Sequence, residues 1–172
     1  MQEHFNNLNS IINLKEINNI LDSGSGRTSL NYLINTFPNA NIDAVVFPGD
    51  YRKINSIKEN VQGNYNLTEI DLCKNNVSKE YDLVLAHLLL GEATKFNNTF
   101  EDLLEKLLKI KSTYYVIYDF KEDNTLDFNY LESYLQNNNF EIIDKKEFPK
   151  QEPQQFTNFL GSTYIAYLIK HK

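Results

Sequence analysis

The sequence predicts an α/β protein with a doubly wound, three-layer architecture, in which helices cover both faces of a mostly parallel seven-stranded sheet. Short apolar runs alternate with amphipathic helical segments along most of the 172 residues. Several of these runs lack polar alternation, which is typical of parallel strands that are covered on both faces. Two strand-like runs at the C-terminal end have no helical segment between them, so one antiparallel strand is expected there.

Composition restricts the class of protein further. The length predicts a single domain over residues 1–172, with an N-terminal helix (1–16) packed on it. The net charge of -6 disfavours nucleic-acid partners, because phosphate binding requires Lys and Arg. The single Cys73 excludes an internal disulfide, and no His/Cys cluster indicates a metal. No signal sequence or membrane-length apolar run is visible, which predicts a cytoplasmic protein.

The first half of the chain contains an N-terminal helical pattern followed by four strand patterns. The amphipathic helix is expected over 3–15. The Gly loop at 24–26 and the Pro48-Gly49 turn interrupt the apolar runs and therefore separate strands from helices. The predicted strands are 17–21, 42–47, 65–70 and 81–86, and the predicted helices between them are 28–37 and 51–61.

The second half continues the alternation and then ends in two strands. A helix begins after Thr99, whose side chain can cap it, and extends to about Lys111. A strand over 113–119 and a helix over 126–136 follow. The last two strands are predicted over 140–148 and 162–170, and the polar segment 149–161 between them is predicted to be a surface loop.

The loop Asp22-Ser23-Gly24-Ser25-Gly26 is the strongest functional signal, because it joins a predicted strand to a predicted helix. Glycines allow a ligand to approach the backbone closely. A carboxylate at the strand end would repel the pyrophosphate of a dinucleotide but attracts the sulfonium and ammonium of S-adenosylmethionine. The third glycine of the dinucleotide fingerprint is replaced by Ser29. The loop therefore favours S-adenosylmethionine as the cofactor.

Three segments together resemble a known family. The loop, the segment Glu69-Ile70-Asp71-Leu72 and the segment from Glu80 to His87 follow the order of motifs I, III and IV of the Rossmann-like (class I, seven-stranded) S-adenosylmethionine-dependent methyltransferases. The resemblance extends from about residue 17 to the end of the chain. It implies that the loop from Asp22 to Gly26 holds the methionine part of the cofactor. It also implies that Asp71 accepts a hydrogen bond from the adenine amino group, and that the Leu72 backbone N–H faces the ring.

One position departs from the family pattern. The acid that binds the ribose hydroxyls in these methyltransferases would stand at the end of the second strand, where this chain has Val46. Asp50, which follows the Pro48-Gly49 turn, is therefore either a displaced ribose ligand or only the N-cap of the next helix.

The resemblance places His87 where residues face both cofactor and substrate. An imidazole can accept a proton from a hydroxyl or amine that is being methylated, so His87 is the candidate base or orienting group. The sequence from His87 to Leu90 replaces the Asn-Pro-Pro-aromatic signature of base-amino methyltransferases, which disfavours exocyclic base amines as acceptors. Glu92 and Asp119 also fall near the predicted ligand edge, either as substrate contacts or as exposed loop acids.

The functional hypothesis is an S-adenosylmethionine-dependent methyltransferase that acts on an oxygen or nitrogen of a small-molecule or protein acceptor. The first alternative is a non-catalytic protein of the same fold that works through protein contacts, and it is motivated by Val46 at the ribose position. The second alternative, a nicotinamide-dependent oxidoreductase, conflicts with Asp22 and Ser29. Neither the acceptor nor the oligomeric state follows from the sequence.

Overall fold

Seven strands form one sheet in the computed structural model, which describes residues 3–122, 125–148 and 163–172. The strands are β1 (Asn19–Asp22), β2 (Asn41–Val46), β3 (Asn66–Glu69), β4 (Tyr81–His87), β5 (Ser112–Phe120), β6 (Phe140–Phe148) and β7 (Tyr164–His171). Their order across the sheet is β3-β2-β1-β4-β5-β7-β6. The winding direction therefore reverses between β1 and β4, where ligands of doubly wound proteins bind.

The direction of the strands confirms the predicted mixed sheet. β1 to β5 are all parallel to one another. β7 is inserted between β5 and β6 and is antiparallel to both. The predicted loop at 149–161, which joins β6 to β7, lies outside the described residues.

Helices cover both faces of the sheet and create two apolar cores. The helices are α1 (Glu3–Asn6), α2 (Arg27–Thr36), α3 (Tyr51–Asn60), α4 (Phe100–Lys109) and α5 (Phe128–Asn137). The side chains of α1, α2 and α3 pack on one face, and those of α4 and α5 pack on the other. Within the described residues, no helix combines the length and apolar character that crossing a bilayer would require.

The N-terminal region differs from the single helix predicted over 3–15. Here α1 ends at Asn6, and a separate 3-10 helix follows at Leu8–Ser10. The Ser10 hydroxyl donates to the backbone carbonyl of Asn7 at 2.8 Å, which offers the backbone an alternative to α-helical hydrogen bonds. The apolar periodicity nevertheless indicated the correct face, because Phe5, Leu8 and Ile11 are buried against the sheet.

A second 3-10 helix, Leu90–Phe96, is absent from the sequence-based prediction and is called the cover helix below. Residues with positive φ lie on either side of it, Leu88 at 52° and Asn97 at 57°. Leu88 is bulky, so its left-handed conformation is strained and must be maintained by surrounding contacts. One of these contacts is the hydrogen bond that its N–H donates to the Tyr118 carbonyl at 2.7 Å.

The core packing of α4 gives a direct test of the fold. Leu104 is fully buried between α4 and the sheet, so Leu104→Ala is expected to lower the free energy of unfolding by about 2–5 kcal/mol. Ile143→Ala serves as the control, because Ile143 is 43% exposed and its truncation should cost much less. Urea denaturation measures both values. Equal losses for the two variants would contradict this packing.

Candidate functional site

The loop after β1 is fixed to both neighbouring strands of the sheet. The Ser23 backbone N–H and hydroxyl both donate to the Leu85 carbonyl on β4, at 2.9 Å and 2.7 Å. The Ser25 backbone N–H donates to the Val45 carbonyl on β2 at 2.8 Å. The loop is therefore part of the sheet edge rather than an independent turn.

Asp22 lies beneath this loop with no exposed surface. Its Oδ2 accepts a hydrogen bond from the Ser29 hydroxyl at 2.6 Å, and the Ser29 oxygen accepts one from the Gly26 N–H at 3.0 Å. Its Oδ1 has no hydrogen-bond partner among the described residues. Burial is the main cause that raises the pKa of the Asp22 carboxyl to about 6. Ser29, at the position of the absent third glycine, therefore stabilises the loop through a buried carboxyl.

The two glycines of the loop have different surroundings. A methyl group added at Gly24 would lie 2.7 Å from the Leu89 Cδ1 and 3.0 Å from its Cβ, whereas one added at Gly26 would meet nothing within 4 Å. Gly24 thus permits the residue before the cover helix to pack against the loop. Gly26 is the N-cap residue of α2.

A narrow cavity of about 40 Å³ lies beside the loop and brings several predicted residues together. Ser23 and Gly24 form one part of its wall, and Asp71 and Leu72 form another. These residues belong to two segments that are far apart in sequence. The remaining lining residues are Val46, Phe47, Lys53, Ile70, Cys73, Leu89, Glu92, Ala93, Phe96, Asn98 and Leu103.

Asp71 points its carboxylate into the turn that follows β3. Its Oδ1 accepts a hydrogen bond from the Cys73 N–H at 3.0 Å, and its Oδ2 lies 3.1 Å from the Lys74 ammonium. The residue is 5% exposed, and these two contacts hold its carboxylate in place. Such a carboxylate retains further acceptor positions for a ligand.

The end of β2 is apolar and carries an aromatic contact that the sequence did not reveal. Phe47 directly follows the strand, and its ring stacks on Phe96 of the cover helix with centroids 3.9 Å apart. Asp50 accepts a hydrogen bond from the Lys53 N–H at 3.2 Å and so acts as the N-cap of α3. Asp50 is not among the residues that line the cavity, and its binding to ribose stays a prediction.

An ion pair joins the cover helix to α3 across the cavity. The Lys53 ammonium lies 2.6 Å from the Glu92 Oε2, and both side chains are about three-quarters buried. Burial acts to raise the pKa of the Glu92 carboxyl, but the Lys53 and Lys95 ammonium groups outweigh it and hold the pKa below its ordinary value. The sequence named Glu92 only as an acid near the ligand edge, because the position of its partner depends on the fold.

His87 is the last residue of β4 and lies on the sheet face that α1, α2 and α3 cover. Its ring packs between Phe5, at a centroid distance of 4.4 Å, and Tyr118, at 5.1 Å. His87 does not line the cavity, and its role as a proton acceptor stays a prediction. Phe5 also lines a second pocket of about 580 Å³ between the N-terminal segment and α2, together with Tyr32 and Arg27.

Asp119 is a structural residue at the end of β5. It is 1% exposed, so the interpretation as an exposed loop acid is wrong. Its Oδ2 accepts a hydrogen bond from the Gly91 N–H at 3.1 Å, which fixes the start of the cover helix. Among the described residues, no group of three or more His, Cys, Asp or Glu side chains is placed to hold a metal ion.

The fold is similar to that of known structures. No family model and no curated protein sequence matches this chain. Among solved structures, it is similar to an rRNA methylase from Escherichia coli, with 16% identity and a TM-score of 0.63 over 99% of this chain and 64% of the other. A putative RNA methyltransferase from Pyrococcus horikoshii has 16% identity and a TM-score of 0.68, over 98% of this chain and 81% of the other.

A third structure extends the likeness beyond RNA methylases. The plantazolicin methyltransferase BpumL, solved in complex with SAH, has 19% identity and a TM-score of 0.66 over 99% of this chain and 82% of the other. The fold is that of the class I methyltransferases. The architecture expected from the sequence is therefore confirmed. The present chain spans less than two thirds of the length of the E. coli rRNA methylase.

The expectation that nucleic acid is disfavoured as a partner is wrong. RNA methylases are among the structures that share this methyltransferase fold, so the fold accommodates nucleic-acid acceptors. The argument from a net charge of -6 failed because phosphate contacts depend on the local arrangement of charges and not on their sum.

The contact between Gly24 and Leu89 can be tested by a pair of substitutions. Gly24→Ala is expected to destabilise the protein by about 1–3 kcal/mol, because the added methyl group overlaps the Leu89 side chain. Gly26→Ala is the matched control, since its methyl group has open space. The double variant Gly24→Ala/Leu89→Ala should cost less than the sum of the two single changes in urea denaturation. Strict additivity would contradict the close approach.

The buried carboxyl of Asp22 predicts a pH dependence of stability. Its folded pKa of about 6 lies above the value of 3.8 for an unperturbed group, so the native state retains the proton between these values. Its contribution to stability is therefore greatest below pH 4 and declines by about 3 kcal/mol as the pH rises past 6. Asp22→Asn should remove this decline from the free energy of unfolding measured between pH 4 and pH 7. Asp144→Asn is the exposed control, and parallel curves for wild type and Asp22→Asn would refute the assignment.

Proposed function

We propose that this protein is an S-adenosylmethionine-dependent methyltransferase that binds its cofactor in the cavity beside the loop. The observation that carries this proposal is the convergence of Ser23 and Gly24 with Asp71 and Leu72 on one cavity. These are the two segments to which the family resemblance assigns the methionine and adenine parts of the same ligand. The cavity also lies at the reversal of strand order, where this class of sheet binds ligands.

The electrostatics of the loop favour a cationic ligand. Asp22 is buried directly beneath Ser23, and one of its oxygens has no hydrogen-bond partner among the described residues. A sulfonium or ammonium above the loop would stabilise the ionised carboxyl, whereas a pyrophosphate would oppose it. The donor set of the site therefore fits S-adenosylmethionine better than a nicotinamide dinucleotide.

The narrowness of the cavity implies that the cover helix moves when the cofactor binds. Sites for ligands of this size usually measure about 300–1,000 Å³, and the cavity measures about 40 Å³. Leu89, Glu92 and Phe96 contact the opposite wall and occupy the space between. Motion of a short 3-10 helix next to the strained Leu88 would enlarge the cavity without a change in the sheet.

The chain's own contribution to methyl transfer would be binding and alignment. When bound, the cofactor supplies an electrophilic methyl group, which an acceptor oxygen or nitrogen takes up while the sulfur retains the electron pair of the broken bond. The loop would fix the donor, and the rigid end of β4 would position the acceptor. His87 is proposed to receive the proton released by the acceptor or to orient it, and an unchanged turnover in His87→Ala would remove it from the mechanism.

We further propose that the acceptor approaches from the second pocket. This pocket measures about 580 Å³ and shares Phe5 with the aromatic stack that contains His87. Its wall is rich in side-chain amides and contains Arg27 and Tyr32, so it suits a polar acceptor. Solved structures with this fold include methyltransferases named for rRNA and for plantazolicin.

A non-catalytic protein of the same fold is the second candidate. Val46 ends β2 where a ribose-binding acid would stand, and the narrow cavity agrees with a chain that has lost cofactor binding. The two candidates differ in one measurable property, which is affinity for the cofactor.

Calorimetric titration tests the proposal. S-Adenosylmethionine and its demethylated product, S-adenosylhomocysteine, should bind saturably below millimolar concentration, and NAD should give no heat of binding. Asp71→Asn should raise the Kd for the product about tenfold or more, because a hydrogen bond to a charged group contributes about 1.5–3 kcal/mol. Asp144→Asn, in an exposed ion pair with Lys146, is the matched control. Absence of binding of both sulfur compounds would favour the non-catalytic candidate.

A further inference from the structure

The Lys53–Glu92 ion pair brings a carboxylate to the carboxyl end of β2. Lys53 lies in the first turn of α3, the helix that directly follows β2, and its position is fixed by that helix. Glu92 belongs to the cover helix, 39 residues away in sequence, yet its Oε2 lies 2.6 Å from the Lys53 ammonium. Both residues line the cavity together with Val46 and Phe47.

An adenosyl ligand at this place presents two adjacent ribose hydroxyls. In doubly wound folds, a carboxylate commonly accepts hydrogen bonds from such hydroxyls. Burying these donors without acceptors would cost much of the binding energy. Neither Val46 nor Phe47 has a side-chain acceptor, so the end of β2 cannot provide one through its own side chains.

Only two carboxylates, Asp71 and Glu92, occur among the described residues that line the cavity. Asp71 is already hydrogen-bonded within the turn after β3, on the side assigned to adenine. Asp50 is used as the N-cap of α3 and lies outside the cavity lining. Glu92 is therefore the cavity-lining carboxylate that is not committed to the turn after β3.

We propose that Glu92 binds the ribose hydroxyls of the adenosyl cofactor, in place of the acid that is absent at the end of β2. This inference rests on the proposed function. A carboxylate has about four acceptor positions, and Lys53 and Lys95 each occupy one, with the Lys95 ammonium 2.9 Å from the Oε1. The remaining positions can accept the two hydroxyls.

Lys53 acts as the positioning residue for Glu92. Its ammonium keeps the Glu92 carboxylate beside the end of β2 while the cover helix moves. The pair would thus link ligand binding to the position of the cover helix. The same acid would contact the ribose and would close the cavity.

The experiment compares the Kd for S-adenosylhomocysteine in matched variants. Glu92→Gln should raise the Kd about tenfold to one hundredfold, because charged hydrogen bonds to the ribose are weakened. Glu80→Gln breaks an exposed ion pair with Lys111 and should leave the Kd within about twofold of wild type. Asp50→Asn tests the competing ribose ligand, because Asn can still cap α3, and it should raise the Kd much less than Glu92→Gln does.

An analogue of the product that lacks both ribose hydroxyls makes the test specific. It should bind wild type more weakly than S-adenosylhomocysteine does, and Glu92→Gln should weaken its binding by less than threefold. A thermodynamic cycle between variant and analogue then isolates the interaction of Glu92 with the hydroxyls. Lys53→Met should raise the Kd for the product less than Glu92→Gln does, since it removes only the positioning contact.

Each outcome decides between the hypotheses. Binding by wild type with an unchanged Kd in Glu92→Gln would overturn the role of Glu92 and leave the proposed function standing. An equal loss for the product and for the analogue would also overturn it, as would a large loss in Asp50→Asn alone. Failure of wild type to bind any adenosyl compound would overturn both. If Glu92→Gln does not fold, Glu92→Asp decides, because its retracted carboxylate should raise the Kd only for ligands with ribose hydroxyls.

Discussion

The buried carboxyl of Asp22 is the constraint on which the site depends. One oxygen accepts the Ser29 hydroxyl, which in turn accepts the Gly26 N–H, so the end of β1, the loop and the first turn of α2 form one hydrogen-bonded unit. Burial raises the pKa of this carboxyl to about 6, and the Ser29 hydrogen bond and the charge of Lys53 offset that rise only in part. Buried carboxyls that are costly to ionise are typical of functional sites. A cationic ligand can supply the positive charge that stabilises the ionised form.

The cover helix adds a second constraint, and its contacts act together. Leu89 packs on Gly24, Phe96 stacks on Phe47, and Glu92 pairs with Lys53. Asp119 holds the start of the helix from the end of β5. The residues that would receive a ligand are therefore also the residues that close the cavity. Binding would exchange the Leu89–Gly24 and Phe96–Phe47 contacts for contacts with the ligand and would retain the Glu92–Lys53 pair.

The comparison with known structures shows that a shared fold does not determine the methyl acceptor. Proteins at 16–19% identity share the fold although their names record different methyl acceptors. The sheet fixes where its carboxyl edge lies, whereas acceptor contacts come from segments added around that edge. Net charge describes the whole surface and does not show how charges are arranged on such segments. For this reason the inference from net charge against nucleic-acid acceptors was wrong.

The sequence alone determined the order of the strands and α-helices along the chain and the antiparallel strand near the C-terminus. These features follow from local periodicity and from turn residues, which depend on residues close together in the sequence. The convergence of the loop with Asp71 was implied by the resemblance to a known family and not by periodicity. The N-terminal segment forms two short helices instead of one, but the side chains on its predicted apolar face are buried. The hydrogen bond from the Ser10 hydroxyl to the Asn7 carbonyl competes with α-helical hydrogen bonds, and apolar periodicity does not reveal it.

Only the tertiary structure decided which acids face the cavity. Asp50 and Glu92 were both acids near a predicted edge, and their sequence contexts did not distinguish an N-cap from a cavity residue. The distinction depends on a contact between residues 39 positions apart, and on a 3-10 helix that a strained Leu88 introduces after β4. Local sequence determines where the helices and strands form, whereas long-range packing determines which side chains come into contact. The chemistry of this site depends on that packing.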